Sequence, residues 1–261
     1  ALKFHNSFPR KSVLFTYYII KVRFIQSTKQ TILQQKKFRD ADNVFIAEGI
    51  KTVSDILSMN VVPVALLYCY GNKQLPQIII DNGEEVPYKT IERISGFKTP
   101  QQVFAVFKKF EQQQIDFKDF SNFNGGNILF LDNVSDPGNL GTIIRSADWF
   151  GIENIVCSNH TVDMYNPKVI QSTMGAIANV NILYVDTLQF LKSAQKIGLP
   201  IVGTFMEGDD IKSFDAPKQA IYIIGNEANG ISEEVKEYVS MKLSIPSIST
   251  PTHAKVSESL N

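Results

Sequence analysis

Residues 128–150 read ILFLDNVSDPGNLGTIIRSADWF, an apolar run, a polar turn rich in Gly, Asn and Pro, and then residues spaced as on a helix. This predicts a strand over Ile128 to Asp132 and a helix over Gly141 to Phe150. The same alternation continues downstream. Strands are expected at Asn154 to Cys157, Val180 to Val185, Pro200 to Thr204, Ala220 to Gly225 and Lys242 to Pro246. Helices are expected at Pro167 to Met174, Leu188 to Ile197 and near Ser232 to Val239. Strict alternation with short connections predicts a doubly wound, mostly parallel sheet with helices on both faces. Ligands of such sheets lie at the carboxyl ends of the strands, which directs attention to the loops after residues 132, 204, 225 and 246.

Upstream, a smaller α/β unit is legible. A short basic helix is expected over Lys29 to Arg39, then a strand over Asn43 to Glu48, a helix from Gly49 to about Met59, and strands over Val61 to Tyr68 and Gln102 to Lys108. The stretch EQQQIDFKDFSNFNGG has the composition of a linker. The expected organisation is an extension over 1–24, a first domain over 25–110, a linker over 111–126 and a second domain over 127–261. The apolar run Val13 to Ile20 is far too short to span a bilayer and reads as a buried strand.

The chain has 261 residues, 44% of them hydrophobic, with 26 basic and 26 acidic side chains. That is the composition of an ordinary globular protein. Neutrality conceals an asymmetry: residues 1–124 hold 17 basic and 11 acidic groups, and residues 125–261 hold 9 and 15. Residues 1–39 alone carry nine basic groups and no acid, and such a basic arm attracts phosphate locally while the whole stays neutral. Two cysteines, Cys69 and Cys157, make no disulfide framework, and no Cys-x-x-Cys or histidine cluster is present to hold zinc. The expectation is a cytoplasmic protein with no metal and no membrane partner.

Three loops carry candidate chemistry. In the first, Asp132 to Gly141, strand, turn and helix start present backbone N–H groups to an anion. Its Gly138 and Gly141 do not make a dinucleotide fingerprint, and no Gly-Lys-Ser/Thr follows, which excludes a nucleotide-dependent oxidoreductase and a P-loop. Arg145, read as lying on the first helical turn, opposes the helix dipole there, so its placement answers to something other than helix stability. In the second, Gly225-Asn226-Glu227-Ala228-Asn229-Gly230-Ile231-Ser232, an apolar strand delivers a carboxylate between two glycines and Ser232 caps a helix. The third is Leu243-Ser244-Ile245-Pro246 followed, after a polar insert, by Ser257-Glu258-Ser259-Leu260-Asn261.

Together, NVSDPGNLGTIIRSADWFG, IIGNEANGIS and LSIP…SESLN resemble the three motifs of the SpoU/TrmH RNA 2′-O-ribose methyltransferases of the SPOUT superfamily. FIAEGIKTVSDIL and ISGFKTPQQVFAVF resemble the substrate-binding domain that precedes them. The resemblance covers about residues 25 to 261. It implies a small α/β RNA-binding domain followed by a parallel sheet with a C-terminal trefoil knot, a homodimer, and S-adenosylmethionine as methyl donor. By position the donor would be held by loops at Gly203 and Thr204, at Gly225, and from Ile245 to Leu260. The resemblance makes Arg145 the catalytic arginine, Asn139 its supporting asparagine, Glu227 the second-motif carboxylate, and Ser259 and Asn261 the third-motif polar pair. Glu227 and Asn139 would hold the guanidinium fork in place. The third motif departs from the family in a longer link without glycine. The family continues past the position of Asn261 into a helix, so this polypeptide is expected to continue as well. Lys29, Lys36, Lys37 and Arg39 are the expected RNA contacts. Ribosomal RNA is favoured over tRNA, and the rival function is RNA binding without catalysis.

Overall fold

The structure is a computed structural model that describes residues 32–111, 120 and 126–246. It divides into two compact units, Ala1–Phe110 with Tyr165–Gly175, and Glu111–Met164 with Ala176–Asn261. The segment Tyr165–Gly175 therefore belongs to the first unit although it lies far downstream in sequence.

The first unit holds a four-stranded sheet in the order β1 (Val44–Glu48), β4 (Val103–Lys108), β2 (Pro63–Tyr68), β3 (Glu84–Glu85). β4 runs antiparallel to both neighbours, with Ile46 opposite Val106 and Leu66 opposite Ala105. β1 is buried along its whole length because both faces are covered. One face packs Val44, Ile46, Phe104 and Val106 against Leu33, Ile91 and Ile94. On the other, Phe45 stacks on Tyr165 with ring centroids 5.2 Å apart and meets Phe110 at 5.4 Å. The helix Ile50–Ser58 buries Thr52, Val53, Ile56 and Leu57, the stripe a 3.6-residue period requires. Helices Gln77–Asn82 and Tyr88–Ile94, each following a proline, and the two-residue β3 were not foreseen. The basic helix runs from Lys36 to Asp42 and is closed by Asn43 in the left-handed conformation, φ 52°; residues 29–31 of the expected span lie outside the described residues, as does the strand expected at 13–20.

The second unit is a seven-stranded, wholly parallel sheet. Its order is β7 (Asn181–Val185), β6 (Asn154–Ser158), β5 (Ile128–Leu131), β10 (Ile221–Ile224), β8 (Ile201–Phe205), β11 (Met241–Ser244), β9 (Asp209–Asp210). Ile128 and Phe130 of β5 alternate toward a core with Val156, Leu183, Phe190, Ile221 and Ile223, and Phe130 stacks on Phe190 at 5.5 Å. The order reverses beside β5. β5, β6 and β7 step one way, and the strands that follow fill the other side, with β10 against β5. That reversal makes the carboxyl ends of β5 and β10 the switch point of the sheet, the position where sheets of this kind take ligands. The chain expected to complete a knot lies after Pro246, outside the described residues.

One boundary changes the reading of the first motif. The helix begins at Pro137, not Gly141, and runs to Trp149. Asp136 is its N-cap, its carboxylate accepting the Asn139 backbone N–H at 2.8 Å, and Pro137 needs no N–H at the first position. Gly138 and Gly141 are thus helical, and Arg145 stands in mid-helix. The expectation that Arg145 opposes the dipole is corrected: the dipole's field is concentrated in the terminal turns.

Candidate active site

β5 and β10 pair in register, Leu131 opposite Ile224, so the first two motifs leave the sheet side by side. Asp132 continues the ladder, its backbone N–H donating to the Ile224 carbonyl at 2.9 Å. Its side chain is buried, and Oδ2 accepts the Ser232 backbone N–H at 2.7 Å. A carboxylate thus ties the β5 end to the far side of the β10 loop. Ser232 occupies the N-cap position of the helix Glu233–Lys236, but its hydroxyl makes no cap bond. The expected cap is corrected, because the four-residue helix starts where Asp132 holds the Ser232 backbone.

Asn133 takes the left-handed conformation at φ 60°, turning the chain over Ser158, whose Oγ accepts the Asn133 N–H at 2.9 Å and donates to Asn133 Oδ1 at 3.0 Å. Asn226 reaches across to donate to the Asn133 carbonyl at 2.8 Å. The Asn226 and Gly230 backbones exchange two hydrogen bonds, of 2.9 and 2.8 Å, which close the loop that displays Glu227. Gly225 has no room for a side chain: a Cβ would lie 2.2 Å from the Gly230 carbonyl carbon.

Glu227 accepts from Asn139 Nδ2 at 3.0 Å, and at longer range from Ser135 Oγ and the Asp136 N–H, both 3.4 Å. Partial burial works against its charge, and these hydrogen bonds outweigh it, holding its carboxyl below the ordinary glutamate range. Glu227 is therefore ionised at neutral pH, held between two loops.

The candidate residues distribute unequally. Asn139 and Glu227 are brought into contact. Arg145 is exposed on the same helix and makes no ion pair or hydrogen bond among the described residues, so the expected clamp of its fork by Glu227 and Asn139 is not the arrangement seen. Gly203 and Thr204 lie inside β8 rather than in a loop. Thr204 donates its hydroxyl to the Ile223 carbonyl at 2.9 Å, and Gly203 leaves room for the Phe205 ring. Ile245 follows β11 and is half exposed. Ser259, Leu260 and Asn261 lie outside the described residues.

Among the expected RNA contacts, Lys29 lies outside the described residues. Lys36 is exposed and paired with Asp40 at 2.6 Å, and Lys37 is exposed with its ammonium 4.8 Å over the Phe38 ring. Arg39 is corrected: it is 2% exposed, and Nη1 donates to the carbonyls of Leu33 and Gln34 at 3.1 and 2.7 Å. It fastens the turn before its own helix. Sequence reasoning gave no role to Asp132, Asn133 or Asn226. Their signal was position, a polar side chain within two residues of the end of an apolar strand.

Residues 126–261 match the SpoU rRNA Methylase family and residues 25–105 match the MRM3-like substrate binding domain. The chain is 26% identical over 219 residues to the 23S rRNA (guanosine(2553)-2′-O)-methyltransferase RlmP of Bacillus subtilis, covering 82% of this chain and 84% of that protein. It is 33% identical over 125 residues to the 23S rRNA (uridine(2479)-2′-O)-methyltransferase of Streptomyces viridochromogenes, 45% of this chain and 44% of that one. This chain thus spans less than half of the length of the second relative. Its structure is similar to that of an AdoMet-bound rRNA methyltransferase from Sinorhizobium meliloti, with a TM-score of 0.71, 29% identity, and coverage of 93% of this chain and 88% of that one. The family match spans more than half of the sequence and includes both loops of the site. The chain belongs to the SpoU rRNA methylase family.

Proposed function

We propose that the protein transfers a methyl group from S-adenosylmethionine to a ribose 2′-hydroxyl of ribosomal RNA. The observation that carries this reading is the Asn139–Glu227 hydrogen bond, which locks the start of the Arg145 helix to the β10 loop at the switch point of the sheet.

The residues present fit the donor. β10, β8 and β11 are neighbours, so Gly225, Met206 and Ile245 leave the sheet at one edge. Ser244 pairs with Phe205, and the next residues, Ile245 and Met206, expose apolar side chains suited to a nucleoside base. Backbone groups around Gly225 and Ile245, with Leu260 of the third motif, would hold it. When bound, it supplies an electrophilic methyl on a sulfonium.

Arg145 is permanently protonated, so its part is not that of a simple base. It engages the phosphate beside the target ribose and polarises the 2′-hydroxyl, whose nucleophilicity is otherwise poor. Asn139 and Glu227 set the helix from which Arg145 projects. Ser259 and Asn261 complete the polar set, and residues 25–110 bind the RNA. A second copy of the chain completes the particle. Supporting this, Trp149 and Phe150, at the end of the Arg145 helix, are 85% and 78% exposed. Free, buried Cys69 and Cys157 support a reducing, cytoplasmic setting.

The test is methyl transfer from labelled S-adenosylmethionine to an unmethylated 23S rRNA transcript. Incorporation is expected, with loss of about 100-fold or more in Arg145→Ala at unchanged donor affinity. Full activity in Arg145→Lys would remove the bidentate contact. Donor-independent RNA binding with no incorporation would leave the protein an RNA-binding member of its family.

A further inference from the structure

We infer that the first unit takes an unpaired RNA segment at the end of its sheet where β1 and β2 finish and β4 begins, with a base stacked on Tyr70 and phosphates on Lys73 and Lys98. This rests on the RNA-methylating reading above and names the surface that reading leaves open.

The pairing registers bring the surface together. Glu48, last in β1, lies opposite Phe104, and Tyr68, last in β2, lies opposite Val103. Gly49 with the first turn of the helix Ile50–Ser58, and the loops 69–73 and 95–102, therefore share one end of the sheet. The helix Lys36–Asp42 leads into the other end, where Val44 pairs with Lys108.

The two ends differ in charge. At the helix end, Asp40 pairs with both Lys36 and Lys109, which offsets the basic cluster that the sequence singled out. At the loop end, residues 49–51, 70–73 and 96–102 contain three lysines and no acid. Lys51 pairs with Asp55, whereas exposed Lys73 and Lys98 make no ion pair among the described residues. Glu85, opposite Tyr68, bounds the surface at its β3 margin.

The loops are also held in shape. Gln102 accepts the Lys73 N–H at 3.2 Å and donates to the carbonyls of Lys73 and Cys69 at 3.1 and 3.4 Å. Gly71 lies directly under it, where a Cβ would be 2.9 Å from the Gln102 amide carbon. Buried Glu48 accepts from Ser95 Oγ and from the Gly96 N–H, which fixes the base of the Lys98 loop. On this frame Tyr70 is 61% exposed and packs nearly perpendicular to Tyr68, with ring centroids 5.8 Å apart. An aromatic face flanked by cations on an ordered loop is the chemistry that binds unstacked bases and their phosphates with little sequence preference.

The test is filter binding of an unmethylated 23S rRNA transcript to the full chain across a salt series. Tyr70→Ala is expected to weaken binding about tenfold at every salt concentration, with Tyr70→Phe restoring it. Lys73→Ala with Lys98→Ala should lower the salt slope by between about one and two. Thermal unfolding and donor titration of each variant separate lost contact from lost fold. Wild-type binding with these variants silent, and Lys36→Ala with Lys37→Ala weakened, would overturn the assignment and move the contact to the helix end. No binding by the wild-type chain would instead overturn the RNA-methylating reading, and this inference with it.

Discussion

Asn139 donates its side-chain amide to the Glu227 carboxylate at 3.0 Å, joining residues 88 apart in sequence. The contact converts two loops into one site, and it depends on charge. Glu227 titrates below the ordinary glutamate value of 4.5 because its hydrogen bonds outweigh its partial burial. A depressed folded value contributes stability above the unfolded value and loses it as pH falls through the folded one. The stability gap between wild type and Glu227→Gln should therefore be constant from neutral pH down to about 4.5 and close below it, read by denaturant unfolding at each pH. Asn139→Asp, which sets two carboxylates together, should raise the Glu227 titration and cut methyl transfer about tenfold or more.

Gly225→Ala drives a methyl group into the Gly230–Ile231 backbone, which lies 2.2–2.5 Å from the added atom. The loop cannot yield without losing the Asn226–Gly230 hydrogen bonds. A loss of about 1–3 kcal/mol is expected, measured by thermal unfolding, together with loss of donor binding in calorimetric titration.

Arg39→Ala removes a buried guanidinium that binds two main-chain carbonyls. The expected cost is about 2–4 kcal/mol. The salt slope of RNA binding should not change, since this charge never meets solvent. A reduced slope with unaltered stability would return Arg39 to the RNA surface.

Tyr165→Ala should destabilise the first unit by about 3–5 kcal/mol. Its ring stacks on Phe45, and its hydroxyl accepts the Phe110 N–H at 2.9 Å. Tyr165→Phe keeps the stack and should lose only about 1 kcal/mol. Equal losses would place the whole contribution in the hydroxyl.

Trp149→Glu with Phe150→Glu places two charges where the Arg145 helix exposes aromatic surface. On the proposed homodimer, the expected outcome in light scattering is a mass of two copies for the wild type and of one for the variant, with methyl transfer falling in parallel. A variant that keeps the wild-type mass would remove this surface from the proposed contact, and a wild type of one copy would remove the homodimer.

The starts of the helices at Ile50, Pro167 and Thr187 are legible from residues close in sequence, whereas the basic helix begins at Lys36 rather than Lys29 and the first-motif helix at Pro137 rather than Gly141. Asp136-Pro137 is a cap followed by a first-turn proline, a local signal that outranks the glycines after it, and the helix begins there. Pro76 and Pro87 similarly precede the two short helices of the first unit that the sequence reading passed over. The strands β5, β6, β7 and β10 were visible as apolar runs between polar turns, because burial on both faces of a parallel sheet demands continuous apolar residues. The motif loops were visible for the same reason, as polar residues that end such runs.

The amino-acid sequence by itself determined the βα alternation, the two loops that carry Asn139 and Glu227, and the family to which their spacing belongs. Only the tertiary structure decided that β10 would enter between β5 and β8, that Asp209–Asp210 would become an edge strand against β11, and that Tyr165–Gly175 would pack in the first unit. It alone placed Arg39 inside and Tyr70 outside. Local propensity and periodicity act over a few residues, so they specify elements and caps. Strand order, and the partner that buries or neutralises a given side chain, come from contacts between residues tens of positions apart, whose pairing leaves no local pattern to read.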